Sequence, residues 1–281
     1  MLFRTAALVF SLVIAGNAIA GERDVARRMS FGGSCARCDL SGKKLVGSSF
    51  MSSNFSSAAL TGADLRGAQF SASNFASADF SRANLRGASI LASNFANARF
   101  NDALMDGIDA KATNFSNARM SHAHLTAADL LATDFRGADL TGADFSNATL
   151  VAIDFQKADA RGAQFTGTEM PRNSLRGGNF ERASFRHADL SNSQLAGANL
   201  NGADLSEAEL SHADIRGADL SQTRGLTQDQ IDDACGDSAT RAPAGLKVHE
   251  CRGFLKFGGQ LVSPPHPPAP PASPVAPIAP H

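Results

Sequence analysis

Ala58-Ala59-Leu60-Thr61-Gly62-Ala63-Asp64-Leu65-Arg66-Gly67-Ala68-Gln69-Phe70 decides the architecture, because its apolar residues return every fifth position. The same clock runs from Leu40 through Leu45, Phe50 and Phe55 to Leu210, Ile215 and Leu220, with 37 apolar centres and no gap or insertion. A period of five keeps no α-helical face apolar and does not match strand alternation, so internal repetition has to be read first. Two residues before each centre lies a second inward position, small in most repeats and Ala in 23 of the 37. Gly, Asn, Asp and Ser occupy the remaining positions, where tight turns need them. Short extended segments joined by turns can satisfy this pattern only by coiling into an all-β solenoid, each coil hydrogen-bonded to the next.

The number of repeats per coil is also written in the chain. The small position is bulkier or more polar at a spacing of twenty residues: Ser53, Ser73, Ser93, Thr113, Thr133, Ile153, Asn173 and Ser193. Four repeats therefore complete one turn, and one side of the rod differs from the other three. That side carries Phe55, Phe75, Phe95, Phe115, Phe135 and Phe155, then Leu175, Leu195 and Ile215, which predicts a stack of rings inside. Of the 19 Phe in the chain, 14 sit at centre positions. Ala110 and Ala160 are centres too small for their neighbours and mark places where packing must adjust.

Units such as Ala63-Asp64-Leu65-Arg66-Gly67 and Ala203-Asp204-Leu205-Ser206-Glu207 resemble the A(D/N)LxG consensus of the pentapeptide repeat family. The resemblance implies a right-handed quadrilateral β-helix with small capping segments at both ends. At about 4.8 Å between coils, residues 40–222 would form about nine four-repeat coils and a rod of roughly 43 Å. The cysteine-bearing flanks, Cys35-Ala36-Arg37-Cys38-Asp39-Leu40 and Leu226-Thr227 to Cys235-Gly236-Asp237, resemble those of exported family members more loosely. In one branch of the family, acidic rods mimic DNA and bind DNA gyrase, giving quinolone protection. Here 26 Lys and Arg nearly balance 27 Asp and Glu, and that alternative is disfavoured.

Residues 1–20 combine Arg4, an apolar stretch around Ala6 to Ala15 and a small-residue exit, reading as a signal peptide cleaved between Ala20 and Gly21. The apolar run is shorter than the roughly 20 residues of a membrane span. Residues 21–39 then form an N-terminal cap, and residues 223–262 a C-terminal cap in which Thr227 starts a short helix over Gln228 to Ala234. Cys35 and Cys38 precede the rod, and Cys235 and Cys251 follow it. Ends separated by tens of ångströms cannot be joined by a bond needing Cα atoms within about 7 Å, so the expected disulfides are Cys35 with Cys38 and Cys235 with Cys251. A four-cysteine zinc site is disfavoured by the same separation, and no βαβ pattern accompanies the C-x-x-C to suggest redox chemistry. From residue 263 to 281 the chain holds 9 of its 11 Pro and reads as a disordered tail, a spacer or a ligand for aromatic-lined grooves.

No catalytic, cofactor-binding or metal site emerges. Inward positions are Ala, Ser, Thr, Leu and Phe, and no Gly-x-Ser-x-Gly elbow, phosphate loop or EF-hand spacing occurs. His122 and His124 point outward, with Asp102 one coil before His122. Lys157, Arg161, Arg172, Arg176, Arg182 and Arg186 make one region basic, interrupted by Glu169 and Glu181, while Asp204, Glu207, Glu209, Asp214 and Asp219 make the last coils acidic. The expectation is a non-enzymatic structural or protein-interaction rod, periplasmic or secreted. It would have an unknown envelope or exterior protein partner and no nucleic acid partner. It would have no membrane span after cleavage, and a homo-oligomer is possible.

Overall fold

The computed structural model describes residues 30–31 and 33–250. They form a parallel solenoid whose four sides each carry a ladder stepping by twenty residues. Three ladders are single bridges, running from Ser34↔Asn54 to Asp214↔Cys235, from Asp39↔Ala59 to Asp219↔Arg241, and from Lys44↔Asp64 to Asp204↔Arg224. The fourth side carries extended strands: β1 (Ser30–Phe31), β2 (Ser49–Met51), β3 (Gln69–Ser71), β4 (Ser89–Leu91), β5 (Asp109–Lys111), β6 (Asp129–Leu131) and β7 (Thr149–Val151). They form one seven-stranded sheet in sequence order.

The five-residue clock acts as expected. Every centre from Leu45 to Leu220 is buried, as is nearly every Ala two residues before a centre. Phe55, Phe75, Phe95, Phe115, Phe135 and Phe155 stack with ring centroids 5.2–5.3 Å apart. A second column, Phe145, Phe165 and Phe185, stacks at 5.1 and 4.9 Å. The ring spacing is close to the separation of adjacent parallel strands, so one aromatic per coil fits without distorting the ladder. At Ala110 the missing volume is met locally, since Ile108 occupies the inward position two residues earlier and is itself buried.

Corners explain why one column is polar. On three sides the turn is closed by a bond from the third residue after the centre, as from Ala58 N to Phe55 O, Ala63 N to Leu60 O and Ala68 N to Leu65 O, each 3.0 Å. The third turn residue lies at positive φ, where Gly62 (φ 64°) has no Cβ to strain and Arg82 (φ 58°) does. Among the described residues the corners after Phe70, Ile90, Ala110 and Leu130 lack that closing bond. At the first three of these an inward hydroxyl of the next coil bonds to the corner's backbone, whereas after Leu130 that residue is Ile153 and no hydroxyl is present. Ser73 Oγ donates to Phe50 O at 3.0 Å and accepts from Ser53 N at 3.0 Å, while Ser93 Oγ accepts from Ser73 N at 3.2 Å. Thr113 and Thr133 donate similarly to Ile90 O and Ala110 O. An alanine at position 73 or 93 would leave a buried backbone N–H, of Ser53 or Ser73, without this partner.

The expectation of about nine four-repeat coils differs from the extent of the extended sheet. Three-residue strands pair through only five turns, β2 to β7. Past Val151 the same side continues as the single bridges Thr149↔Glu169, Glu169↔Asp189 and Asp189↔Glu209. The break begins at Pro171, which occupies the third strand position of the next coil and has no N–H for the ladder, and from Leu190 on the corner is closed as on the other sides, by Ser193 N to Leu190 O at 3.1 Å. Asn173 takes over the vacated role. Its Nδ2 donates to Leu150 O at 2.8 Å, and its Oδ1 accepts from Ile153 N, also at 2.8 Å.

The C-terminal end is closed by side chains rather than by another coil. Helix α1 (Gln228–Asp232) starts at the expected Thr227, with a reciprocal capping box to Gln230. It ends two residues earlier than the sequence predicts, because Cys235 must rejoin the ladder through Cys235 N to Ala213 O and Ile215 N to Cys235 O, each 2.8 Å. Gln230 Nε2 donates to Leu205 O and Ala208 O at 3.0 and 2.7 Å, and Ile231 is buried against the last coils. The exposed backbone of the final turn is thereby satisfied.

Candidate interaction faces of the rod

Outward side chains stand in columns one coil apart, and three sides are occupied largely by contacts among themselves. On one side Asn54, Asn74, Asn94 and Asn114 form an amide ladder, the Nδ2 of Asn74, Asn94 and Asn114 each donating to the Oδ1 one coil earlier at 3.0–3.2 Å. The column continues as Asp134 and Asp154, both nearly buried and gripped by Arg136 at 2.6 and 3.7 Å. On other sides Asp residues bridge to the turn that follows them. Asp64 receives the Arg66 guanidinium at 2.7 Å, and the Asp139 carboxylate takes the Thr141 hydroxyl and the Ser121 hydroxyl at 2.7 and 2.9 Å.

These contacts set the acid response. Hydrogen bonding by the Arg66 guanidinium holds the Asp64 carboxyl below the usual carboxylate range, and the Gly217 N–H does the same for Asp237. For Asp106, burial pushes the other way but is outweighed by the Thr126 hydroxyl and the Arg86 guanidinium. A carboxyl whose folded-state pKa is depressed contributes stability above its unfolded value, and that contribution disappears as pH falls through the folded value. Thermal melts should therefore hold level from pH 7 to about 5 and drop below about pH 4, the ordinary carboxylate range. A midpoint unchanged down to pH 3 would contradict these assignments.

The residues singled out from sequence separate into distinct places. Cys35 and Cys38 are bonded to one another at the N-terminal end, with Cα atoms 5.5 Å apart. Cys235 is buried in the C-terminal cap, where Asp214 bridges to it. Its expected partner Cys251, the cleavage pair Ala20 and Gly21, and the Pro-rich tail lie outside the described residues. His122 leans onto the next coil: a Cβ built on Gly142 would lie 2.7 Å from its Nδ1, which turns the imidazole toward Gly142. Three of the six residues of the basic region are ion-paired, Arg161 with Asp159 at 2.7 Å, Arg182 with Glu181 at 3.6 Å and Arg176 with Asp214 at 3.9 Å. Among the described residues no three His, Cys, Asp or Glu come together as a metal-binding group. A groove of about 510 Å³, open to solvent, lies beside α1 and is lined by Glu207, Glu209, Leu210 and Gln230.

Sequence reasoning missed one feature. All four large apolar side chains exposed on the described surface, Met51 (56 %), Leu91 (49 %), Leu131 (41 %) and Val151 (37 %), lie on the strand-bearing side. Each is the last residue of its strand, in β2, β4, β6 and β7. The half-buried corner residues Ala72, Ala92, Ala112, Ala132 and Ala152 run beside them. The residue after each centre carries this signal, but only the stacking of coils shows that these positions share one flat surface.

Comparison with known proteins agrees with the repeat geometry. A family model described as Pentapeptide repeats (8 copies) matches residues 34–67, 53–90, 150–186, 172–202 and 183–222, and one described as Pentapeptide repeat region matches 78–155. No curated protein matches the chain. Among solved structures, HetL, a pentapeptide repeat protein involved in heterocyst differentiation regulation from the cyanobacterium Nostoc sp., is 24 % identical, covering 80 % of this chain and 94 % of HetL, with a TM-score of 0.45. The plasmid-mediated fluoroquinolone resistance protein QnrB1 is 21 % identical, covering 74 % of this chain and 93 % of its own, with a TM-score of 0.26. A pentapeptide repeat protein from the Arabidopsis thaliana thylakoid lumen is 32 % identical, covering 37 % of this chain and 82 % of its own, with a TM-score of 0.23. With the two repeat models together spanning residues 34–222, and the ladders and buried centres following the same register, this chain belongs to the pentapeptide repeat family.

Proposed function

We propose that this chain is a non-enzymatic rod exported to the periplasm or cell exterior, where it presents fixed columns of side chains to a protein partner. The observation that carries this reading is how the side chains are used. Inward groups are consumed by packing and corner hydrogen bonds, and outward polar groups bond along the columns instead of converging on a reacting centre. Hydrogen-bonded coils hold those columns rigidly, which lowers the ordering cost of binding. The apolar leader and the joined Cys35 and Cys38 support an oxidising compartment. Mass spectrometry of the protein from a fractionated native host, before and after reduction, tests the export reading. The expected species begins at Gly21, carries two disulfides and is found in an envelope or secreted fraction. A full-length, reduced protein in the cytoplasm would overturn it. Crosslinked capture from envelope fractions that repeatedly recovers nothing would remove the partner half.

A further inference from the structure

We propose that the sheet formed by β1 to β7 is the contact face for a second copy of this chain, packed face to face and antiparallel about a two-fold axis that runs along β4. The other sides of the rod carry amide ladders, Asp-centred turns and ion pairs, whereas this one, apart from the Lys111–Asp109 ion pair at 3.0 Å, exposes Met51, Leu91, Leu131 and Val151 to water. Four apolar residues among the six outermost strand positions of one sheet mark an interaction surface.

The order of residues along the stripe selects the partner. Outermost in β2 to β7 are Met51, Ser71, Leu91, Lys111, Leu131 and Val151. A two-fold along β4 sets Leu91 against Leu91 of the second copy, Met51 against Leu131, and Ser71 against Lys111. In the column at the other end of each strand, Ser89 meets Ser89, Gln69 meets Asp109, and Ser49 meets Asp129. Met51, Leu91 and Leu131 thus meet apolar groups, Val151 falls over the β1 end of the sheet, and none of the three charges on the face opposes a like charge. Moving the axis one strand on, to β5, would set Lys111 against Lys111. A parallel pairing of the two rods would set the last residue of each strand over the first, placing Leu131 against Asp129, Leu91 against Ser89 and Met51 against Ser49. β4 is also the middle of the seven strands, so its axis lays the whole sheet on itself, β1 over β7. This is the isologous, self-complementary contact that a two-fold requires, and packed sheets stand about 10 Å apart, within reach of Leu and Met side chains.

The face is small. Six strand spacings of about 4.8 Å by three residues of about 3.3 Å give roughly 290 Å² per copy. Stable interfaces bury about 800 Å² per partner, so the dimer is a weak one that forms with concentration.

Sedimentation velocity of the full chain from about 10 µM to about 1 mM tests this, a range suited to contacts below standard interface size. The wild type is expected to shift from monomer toward dimer across the series. Leu91→Lys places two charges on the axis and should keep the protein monomeric throughout, as should Leu91→Glu. An equimolar mixture of the two variants should recover the dimer. Leu91 is half exposed, and Lys111 already occupies the equivalent position in β5, so both variants should melt like the wild type. A wild type that stays monomeric at every concentration would overturn the proposal, as would self-association insensitive to Leu91→Lys or a mixture that fails to recover it. Loss of the dimer on removing residues 263–281 would assign the face to the Pro-rich tail instead.

Discussion

Asn173→Ala is expected to lower stability by roughly 3 kcal/mol, since it leaves the buried Leu150 carbonyl and Ile153 N–H without their side-chain partner. For a domain of this size that corresponds to a fall of about 6–12 °C in melting temperature. The position is unusual because Pro171 removes the donor that the backbone supplies in the preceding coils, so the amide is the available substitute. The side chain is 0 % exposed, and water has no path to replace it. Asn173→Ser is the informative companion. Ser193, one coil later, already makes the same pair of contacts with a hydroxyl, to Met170 O at 3.0 Å and from Asn173 N at 3.1 Å. Serine at 173 should therefore recover more than half of the loss. Melting curves in which Ala, Ser and wild type coincide would show that the amide is not satisfying those groups.

The second large effect is expected at Phe95. Its ring lies between Phe75 and Phe115 at 5.2 and 5.3 Å and meets Phe70, Phe80 and Phe100 at 5.6–5.9 Å. Truncation to Ala should cost about 3–5 kcal/mol, toward the upper end because the walls cannot close around the cavity. They are held on one side by Phe95 N to Asn114 O at 2.7 Å and on the other by Phe75 N to Asn94 O at 2.7 Å. Phe95→Leu should cost less than about 1.5 kcal/mol, since Leu175 and Leu195 occupy the same column in later coils and are fully buried. Denaturant titration of the three proteins checks the ranking. Equal midpoints for Phe95→Ala and Phe95→Leu would mean that the ring column is not a packed stack.

Much of this structure was legible beforehand because a solenoid couples residues at a fixed separation. Once twenty residues are known to make a coil, the contacts of Phe95 with Phe75 and Phe115 follow without any search over topologies. Thr227 was equally legible as a helix start, because a cap depends on residues three apart. The length of α1 was not, since it is set by where Cys235 must rejoin Ala213 and Ile215. Nor was the orientation of His122 legible, since adjacency in a column does not say which neighbour a side chain leans toward, and His122 turns to Gly142.

The amino-acid sequence by itself determined the inward and outward register, the twenty-residue coil and the odd polar column, since each depends on a periodicity carried by the chain. Only the tertiary structure decided what that column does. The corner from Phe70 to Ser73 lacks its closing bond, and that the Ser73 N–H donates to Ser93 Oγ instead is settled by the position of the neighbouring coil. It also decided where the extended sheet ends, at Pro171, and that Met51, Leu91, Leu131 and Val151 stand on one flat side. Periodicity says which way a side chain points, whereas hydrogen-bond partners and surface neighbours come from residues twenty or more positions away, whose geometry exists only once the coils are stacked.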